Sequence, residues 1–140
     1  MKKILVPTDA SEYSRRAFKT ALELARKFNA EVELLLVMYD PVVYSFGVAD
    51  SYIVPPEVVE QDGELALEAT LEGIDISEIT LKIKKLQGNP GNVIIQEVEN
   101  ENIDLVVMGS HGYGAIASTL LGSVSQKVLH GAKSSVLIVK

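Results

Sequence analysis

Apolar residues along this chain follow two rhythms, short solid runs and longer stretches spaced three and four apart. These predict strands and helices by turns. Lys2-Lys3-Ile4-Leu5-Val6, closed by Pro7, reads as a short buried strand. Over residues 11–29, Tyr13, Ala17, Ala21, Leu24, Ala25 and Phe28 recur at helical spacing. Ser11 stands where a cap belongs, and Arg26-Lys27 suit the negative end of the dipole. Residues 31–38 hold Leu34-Leu35-Leu36-Val37-Met38, a second buried strand. Residues 57–71 read as an acidic helix with Val58, Leu65, Leu67 and Leu71 on its apolar side. Residues 79–86 alternate Ile79, Leu81 and Ile83 with polar neighbours, a strand with one wetter face near a sheet edge. Asn89 and Pro90 then cap and open a short helix through Val93, Ile94 and Val98. Residues 104–108 are the most apolar strand, 122–131 the last helix and 135–139 the last strand.

Strand and helix alternating in this way predict one α/β domain over residues 1–140, a doubly wound parallel sheet of five strands with helices on both faces. Right-handed crossovers put the loops that follow the strands on one edge, where such sheets bind ligands. Residues 39–56 fit neither rhythm. Pro41, Gly47 and Pro55-Pro56 predict a long loop, and Tyr39, Tyr44, Phe46 and Tyr52 give it contact surface. That loop is either a lid or partner surface, or a segment packed on its own sheet.

Composition narrows the function classes. There are 140 residues, 23% of them charged and none of them Cys. No uncharged apolar run is long enough for a membrane span or a leader, and a reducing cytoplasm suits the lack of cysteine. With two His and no Cys, a protein-built transition-metal site is not expected. The net charge is −6, which disfavours nucleic acid as a partner. The charge is unevenly spread: residues 31–78 carry twelve acids and no base, whereas no carboxylate follows Asp104. The eight acids of residues 57–78 read as a solvated face. The last quarter suits a small anion.

That last quarter also holds the informative chemistry. A glycine-rich stretch follows residues 104–108, and Gly122-Ser123-Val124-Ser125 opens the next helix. Free N–H groups at a helix start, with the Ser123 and Ser125 hydroxyls, can cradle phosphate oxygens. The plainer alternative is a tight strand-to-helix turn with an ordinary Ser cap. Gly109 and Gly114 have P-loop spacing, but Ala115-Ile116 stand where Lys-Ser/Thr is required. Gly112, Gly114 and Ala117 match a dinucleotide fingerprint, yet no later acid exists for the ribose.

Gly109-x2-Gly112-x9-Gly122-Ser123 resembles the nucleotide-binding motif of the universal stress protein family. The resemblance spans nearly the whole chain, through Lys3-Ile4-Leu5-Val6-Pro7-Thr8-Asp9, the 104–112 stretch and Gly122-Ser123-Val124-Ser125-x-x-Val128. One departure is Ser135, where the family usually has Pro before the closing strand. The resemblance implies a Rossmann-like sheet in the order 3-2-1-4-5, with Pro7-Thr8-Asp9 facing Gly109-Ser110-His111-Gly112. It also implies adenine-nucleotide binding, as ATP, ADP or AMP, with Mg²⁺ arriving on the phosphates. Asp9 would accept from the ribose, the Val37 backbone would meet the adenine edge, and Met108 and Pro7 would be apolar walls. Gly109 and Gly112 would allow close approach, while Gly122, Ser123, Val124 and Ser125 would hold phosphates. It implies, further, a homodimer paired through the bare apolar edge of Val136 to Val139.

Weighed alone, Asp9 is equally a helix cap. His111 is either a neutral imidazole beside phosphate or a residue that orients its loop, and His130 complements a helix dipole. No residue is assigned to catalysis and none to metal binding. The leading reading is a regulatory nucleotide-binding dimer in the stress response. The alternatives are a slow ATPase or phosphotransferase, and a nucleotide-free adaptor working through residues 39–56.

Overall fold

The computed structural model describes residues 1–38, 43–46, 50–53, 55–112 and 120–140, with the backbone alone for 43–46 and 50–53. The elements run β1 (Lys3–Thr8), α1 (Glu12–Phe28), β2 (Glu31–Met38), β3 (Val43–Phe46), β4 (Asp50–Ile53), α2 (Pro56–Leu71), β5 (Leu81–Gln87), α3 (Pro90–Asn100), β6 (Leu105–Gly109), α4 (Ser123–Gly131) and β7 (Ser135–Val139). Five strands form one parallel sheet in the order β5-β2-β1-β6-β7. Counting only those five, this is the 3-2-1-4-5 order expected from the family resemblance.

The sheet is buried on both faces, which explains its near-continuous apolar strands. Ile4, Val6, Val32, Leu34, Leu36 and Val107 point to the side covered by α1 and Leu67 of α2. Leu5, Leu35, Val106 and Met108 point the other way, to Ile94 and Val98 of α3 and Val128 of α4. Helix ends fall where cap chemistry puts them. Ser14 N–H donates to Ser11 Oγ at 3.2 Å, Asn29 closes α1 in a left-handed conformation, and Asn92 N–H donates to Asn89 Oδ1 at 3.2 Å.

Three readings of the sequence are corrected. Residues 39–56 are not loop throughout, since β3 and β4 pair antiparallel as a separate two-stranded sheet with Tyr44 opposite Tyr52. Tyr39 lies outside the described residues, as do the side chains of Tyr44, Phe46 and Tyr52. In α2, Leu67 and Leu71 pack on the core as expected, but Val58 and Leu65 are exposed, and Gly63 and Thr70 face the core in their place. Phe28 of α1 is likewise exposed. The acids of α2 are exposed, as the sequence reading has them, and two of them, Glu60 and Glu64, pair with Lys85 of β5. The last turn of α2 has no basic residue, so Arg15 of α1 supplies the cation, donating to the carbonyls of Ala69, Thr70 and Glu72.

A charged cluster sits on the α3 side of the sheet, near the N-terminal ends of its strands. Glu33 of β2 and Glu97 of α3 are each 3% exposed. Lys84 of β5 pairs with Glu97 and with Glu101, and Lys82 lies 3.6 Å from Glu33 Oε2. Glu33 Oε1 is buried with no hydrogen-bond partner among the described residues. Burial pushes the Glu33 carboxyl up to about 7, helped by the facing carboxyl of Glu97.

Candidate functional site

The strand order reverses between β1 and β6. From β1 the chain runs to β2 and β5, whereas β6 leads to β7 on the other flank. A crevice therefore opens beyond the C-terminal ends of β1 and β6, the place where doubly wound sheets take ligands. The residues singled out from sequence converge there. Thr8 ends β1, Val37 is the penultimate residue of β2, and Met108-Gly109 end β6. β1 pairs with β6 through Ile4–Leu105 and Leu5–Val106, and with β2 up to Thr8–Leu36.

Gly109 and Gly112 are small because α1 and the β1 turn press against them. A Cβ on Gly109 would lie 2.7 Å from Tyr13 Cβ and 2.8 Å from the Tyr13 backbone carbon. A Cβ on Gly112 would lie 2.2 Å from Asp9 Oδ2. The turn after β1 and the loop after β6 thus meet across the crevice, with the Asp9 carboxylate at the point of contact. Asp9 is exposed, and its other oxygen accepts from Ser11 N–H at 2.9 Å.

Behind this contact the loop is tied to α4 and β7. Ser110 N–H donates to Val139 O at 2.9 Å, and Gly122 N–H donates to Ser110 O at 2.7 Å. The Ser125 hydroxyl is buried and donates to Gly109 O at 2.9 Å and Ser110 O at 3.2 Å. It braces the loop, so a phosphate would meet the Ser125 backbone N–H and the exposed Ser123. No side chain among the described residues caps α4, unlike α1 and α3. Its first N–H groups start beside Ser110 and Gly112, because Gly122 packs on both. Residues 113–119, which include Gly114, lie outside the described residues.

His111 is half-buried, with Nδ1 2.9 Å from Ser110 Oγ. Its ring lies 5.4 Å from that of Tyr13, tilted by 52°, and the Arg16 guanidinium sits 5.7 Å from the centre of the Tyr13 ring. Tyr13 is a contact the sequence pattern assigned only to packing. Thr8 is buried, and its hydroxyl accepts from Ala10 N–H at 3.0 Å. Among the described residues no three His, Asp or Glu side chains cluster to hold a metal. No helix among them is long and apolar enough to cross a membrane.

Comparison with known proteins bears on this geometry. The model of the universal stress protein family matches residues 1–140. A universal stress protein of Methanocaldococcus jannaschii is 32% identical over 139 residues, covering 99% of this chain and 82% of the relative. One from Thermus aquaticus is 34% identical over 140 residues, covering 99% of this chain and 98% of the relative. A universal stress protein solved in complex with cAMP is 25% identical, with a TM-score of 0.62 over 99% of this chain and 96% of that one.

Proposed function

The chain belongs to the universal stress protein family, and from that premise and the site geometry we propose that it binds an adenine nucleotide, ATP above all, as a regulatory dimer of the cytoplasmic stress response. The carrying observation is the meeting of Asp9 with Gly112 across the β1–β6 crevice, in front of a helix start that no side chain among the described residues caps. A carboxylate suits ribose hydroxyls, whereas backbone N–H groups at a helix start suit phosphate. The relative in complex with cAMP supports the same ligand class here.

In this reading Asp9 accepts from the ribose, the Val37 backbone meets the adenine edge, and Pro7 and Met108 wall the base. Gly109, His111 and Gly112 line the loop, Gly122 ties the helix start to it through its bond to Ser110 O, and Ser123, Val124 and Ser125 present their N–H groups to the phosphates. Mg²⁺ arrives with ATP and is held by phosphate oxygens. Calorimetric titration with ATP, ADP and AMP, with and without Mg²⁺, tests this. One ATP per chain at micromolar affinity is expected, about −8 kcal/mol. Silence with all three nucleotides, and none released from denatured protein, would reject it.

The dimer is proposed from the sheet edges. β5 carries Lys82, Lys84 and Lys85, which guard it against pairing, whereas β7 has no charge between Ser135 and Val139 and leaves Leu137 38% exposed. Sedimentation should give a dimer at micromolar concentration and a monomer for Leu137→Lys. A wild-type monomer would end this part of the proposal.

A further inference from the structure

The turn that carries Asp9 is held from behind by buried hydroxyls, and one of them comes from a helix remote in sequence. Ala10 has a φ of 65°, a left-handed conformation that residues with side chains rarely adopt. Its N–H donates to Thr8 Oγ1 at 3.0 Å, and the next N–H, of Ser11, donates to Asp9 Oδ1 at 2.9 Å. Thr8 is therefore the anchor of the turn. Its Oγ1 lies 2.8 Å from Thr70 Oγ1 on α2 and 3.1 Å from Ser14 Oγ on α1.

Proton bookkeeping sets the direction of these bonds. The Thr70 hydroxyl donates to Ala66 O at 2.8 Å, and the Ser14 hydroxyl donates to Ser11 O at 2.9 Å. Both neighbours have thus spent their single proton, so the one Thr8 proton goes to one of them, Thr70 Oγ1 at 2.8 Å being nearer than Ser14 Oγ at 3.1 Å, and a Thr8 lone pair remains for Ala10 N–H. Thr70 is 0% exposed and Ser14 is 4% exposed, so neither hydroxyl is there for solvent. A valine of the same shape would pack at position 70 without a polar group to satisfy. What the hydroxyl adds is a fixed orientation for Thr8.

We infer that Thr70 of α2 is a positioning residue of the nucleotide site, acting through Thr8 on the Ala10 turn and so on the direction of the Asp9 carboxylate. The inference rests on the reading that Asp9 meets the ribose of an adenine nucleotide. Thr70→Val keeps the branched shape and removes the hydroxyl that receives the Thr8 proton. AMP and ATP are titrated into wild type, Asp9→Ala, Thr70→Val and the double variant, with thermal unfolding measured alongside.

Asp9→Ala should weaken both nucleotides about tenfold, as loss of one charged hydrogen bond does. Thr70→Val should weaken both about fivefold, equally for AMP and ATP because the effect enters at the ribose. The double variant should bind no more weakly than Asp9→Ala alone, and Thr70→Ser should bind like wild type. Losses that add in the double variant, or a Thr70→Val protein that binds like wild type, would overturn the inference and leave the site reading standing. If Thr70→Val does not fold, Ser14→Ala removes the other hydroxyl beside Thr8 and should give the same non-additive pattern. Wild type that binds neither nucleotide would overturn the site reading and this inference with it.

Discussion

Replacing Glu33 by Gln should flatten the pH dependence of unfolding between pH 4.5 and about 7, and leave the protein about 2 kcal/mol more stable at pH 8. The physical cause is a carboxyl with almost no access to water. Glu33 faces Glu97 across the β2–α3 interface, both nearly fully buried. Among the described residues the cations that reach the pair are Lys84, committed to Glu97 and Glu101, and Lys82 at 3.6 Å from Glu33. The folded protein therefore keeps a proton on Glu33 up to about pH 7, whereas the unfolded chain releases it near 4.5. Where the folded state binds the extra proton, stability falls as pH rises; the loss is complete above about pH 7. The full shift corresponds to about 3 kcal/mol. Lys82 is 45% exposed and admits water to the rim of the cluster, so about 2 kcal/mol is expected.

Glutamine at position 33 stays neutral throughout and can donate its amide to Glu97. At pH 5 it should match wild type. Below pH 4.5 both proteins should weaken together, since Asp104 accepts the N–H groups of Lys2 and Lys3 and Glu101 faces Lys84, which hold both carboxyls low. Urea titrations at pH 5, 6, 7 and 8 measure the slope directly. An unchanged slope in Glu33→Gln would assign the titration elsewhere.

Neither Glu33 nor Thr70 was legible in the sequence, and the reason is the same for both. Periodicity finds a buried face by its apolar residues, and these two are polar groups on buried faces. On α2 the inward positions are Gly63, Leu67 and Thr70, with Leu71 beside them, so the hydrophobic pattern placed Leu67 and Leu71 correctly but put Val58 and Leu65 inside and missed the small and polar members of the face. Nothing local marks Glu33 as the partner of Glu97, sixty-odd residues away in the chain (positions 33 and 97). The β3–β4 hairpin was missed differently. Val43, Tyr44, Phe46, Tyr52 and Ile53 are strand formers, but Pro41, Gly47 and the two prolines outweighed them.

What the sequence did reveal is what short-range chemistry encodes. Ser11, Asn29 and Asn89 mark helix ends because their side chains or left-handed backbones satisfy orphan groups within a few residues. Apolar runs at 31–38 and 135–139 became strands over those same residues. The crevice was readable because topology alone puts the ends of β1 and β6 together once strand order is known. Side-chain allegiance was not readable. The Ser125 hydroxyl, expected at a phosphate, closes the loop onto Gly109 and Ser110.

Gly122→Asp should leave the fold intact or slightly stabilised while weakening ATP binding at least about 100-fold, which is 2.7 kcal/mol. The two effects share one cause. Gly122 sits at the N-cap of α4 with φ −70° and ψ 165°, a conformation suited to an aspartate cap. A Cβ there meets His111 Cα at 3.4 Å and Ser110 O at 3.5 Å, ordinary contacts that need no rearrangement. The new carboxylate would accept from the N–H groups of the first turn, adding a few tenths of a kcal/mol as a cap and about 0.5 kcal/mol from the dipole. Those N–H groups are the ones proposed for phosphate. The carboxylate also brings a negative charge to about 4 Å of where a phosphate would lie, where repulsion is about 4 kcal/mol near a protein surface. Adenosine, which has no phosphate, should bind to the variant within about twofold of wild type, and Gly122→Ala should retain most ATP affinity, since neither loss applies to them. Thermal unfolding and titration of ATP and adenosine read both signs in one set of samples. A stable Gly122→Asp protein that binds ATP as wild type does would remove α4 from the phosphate site.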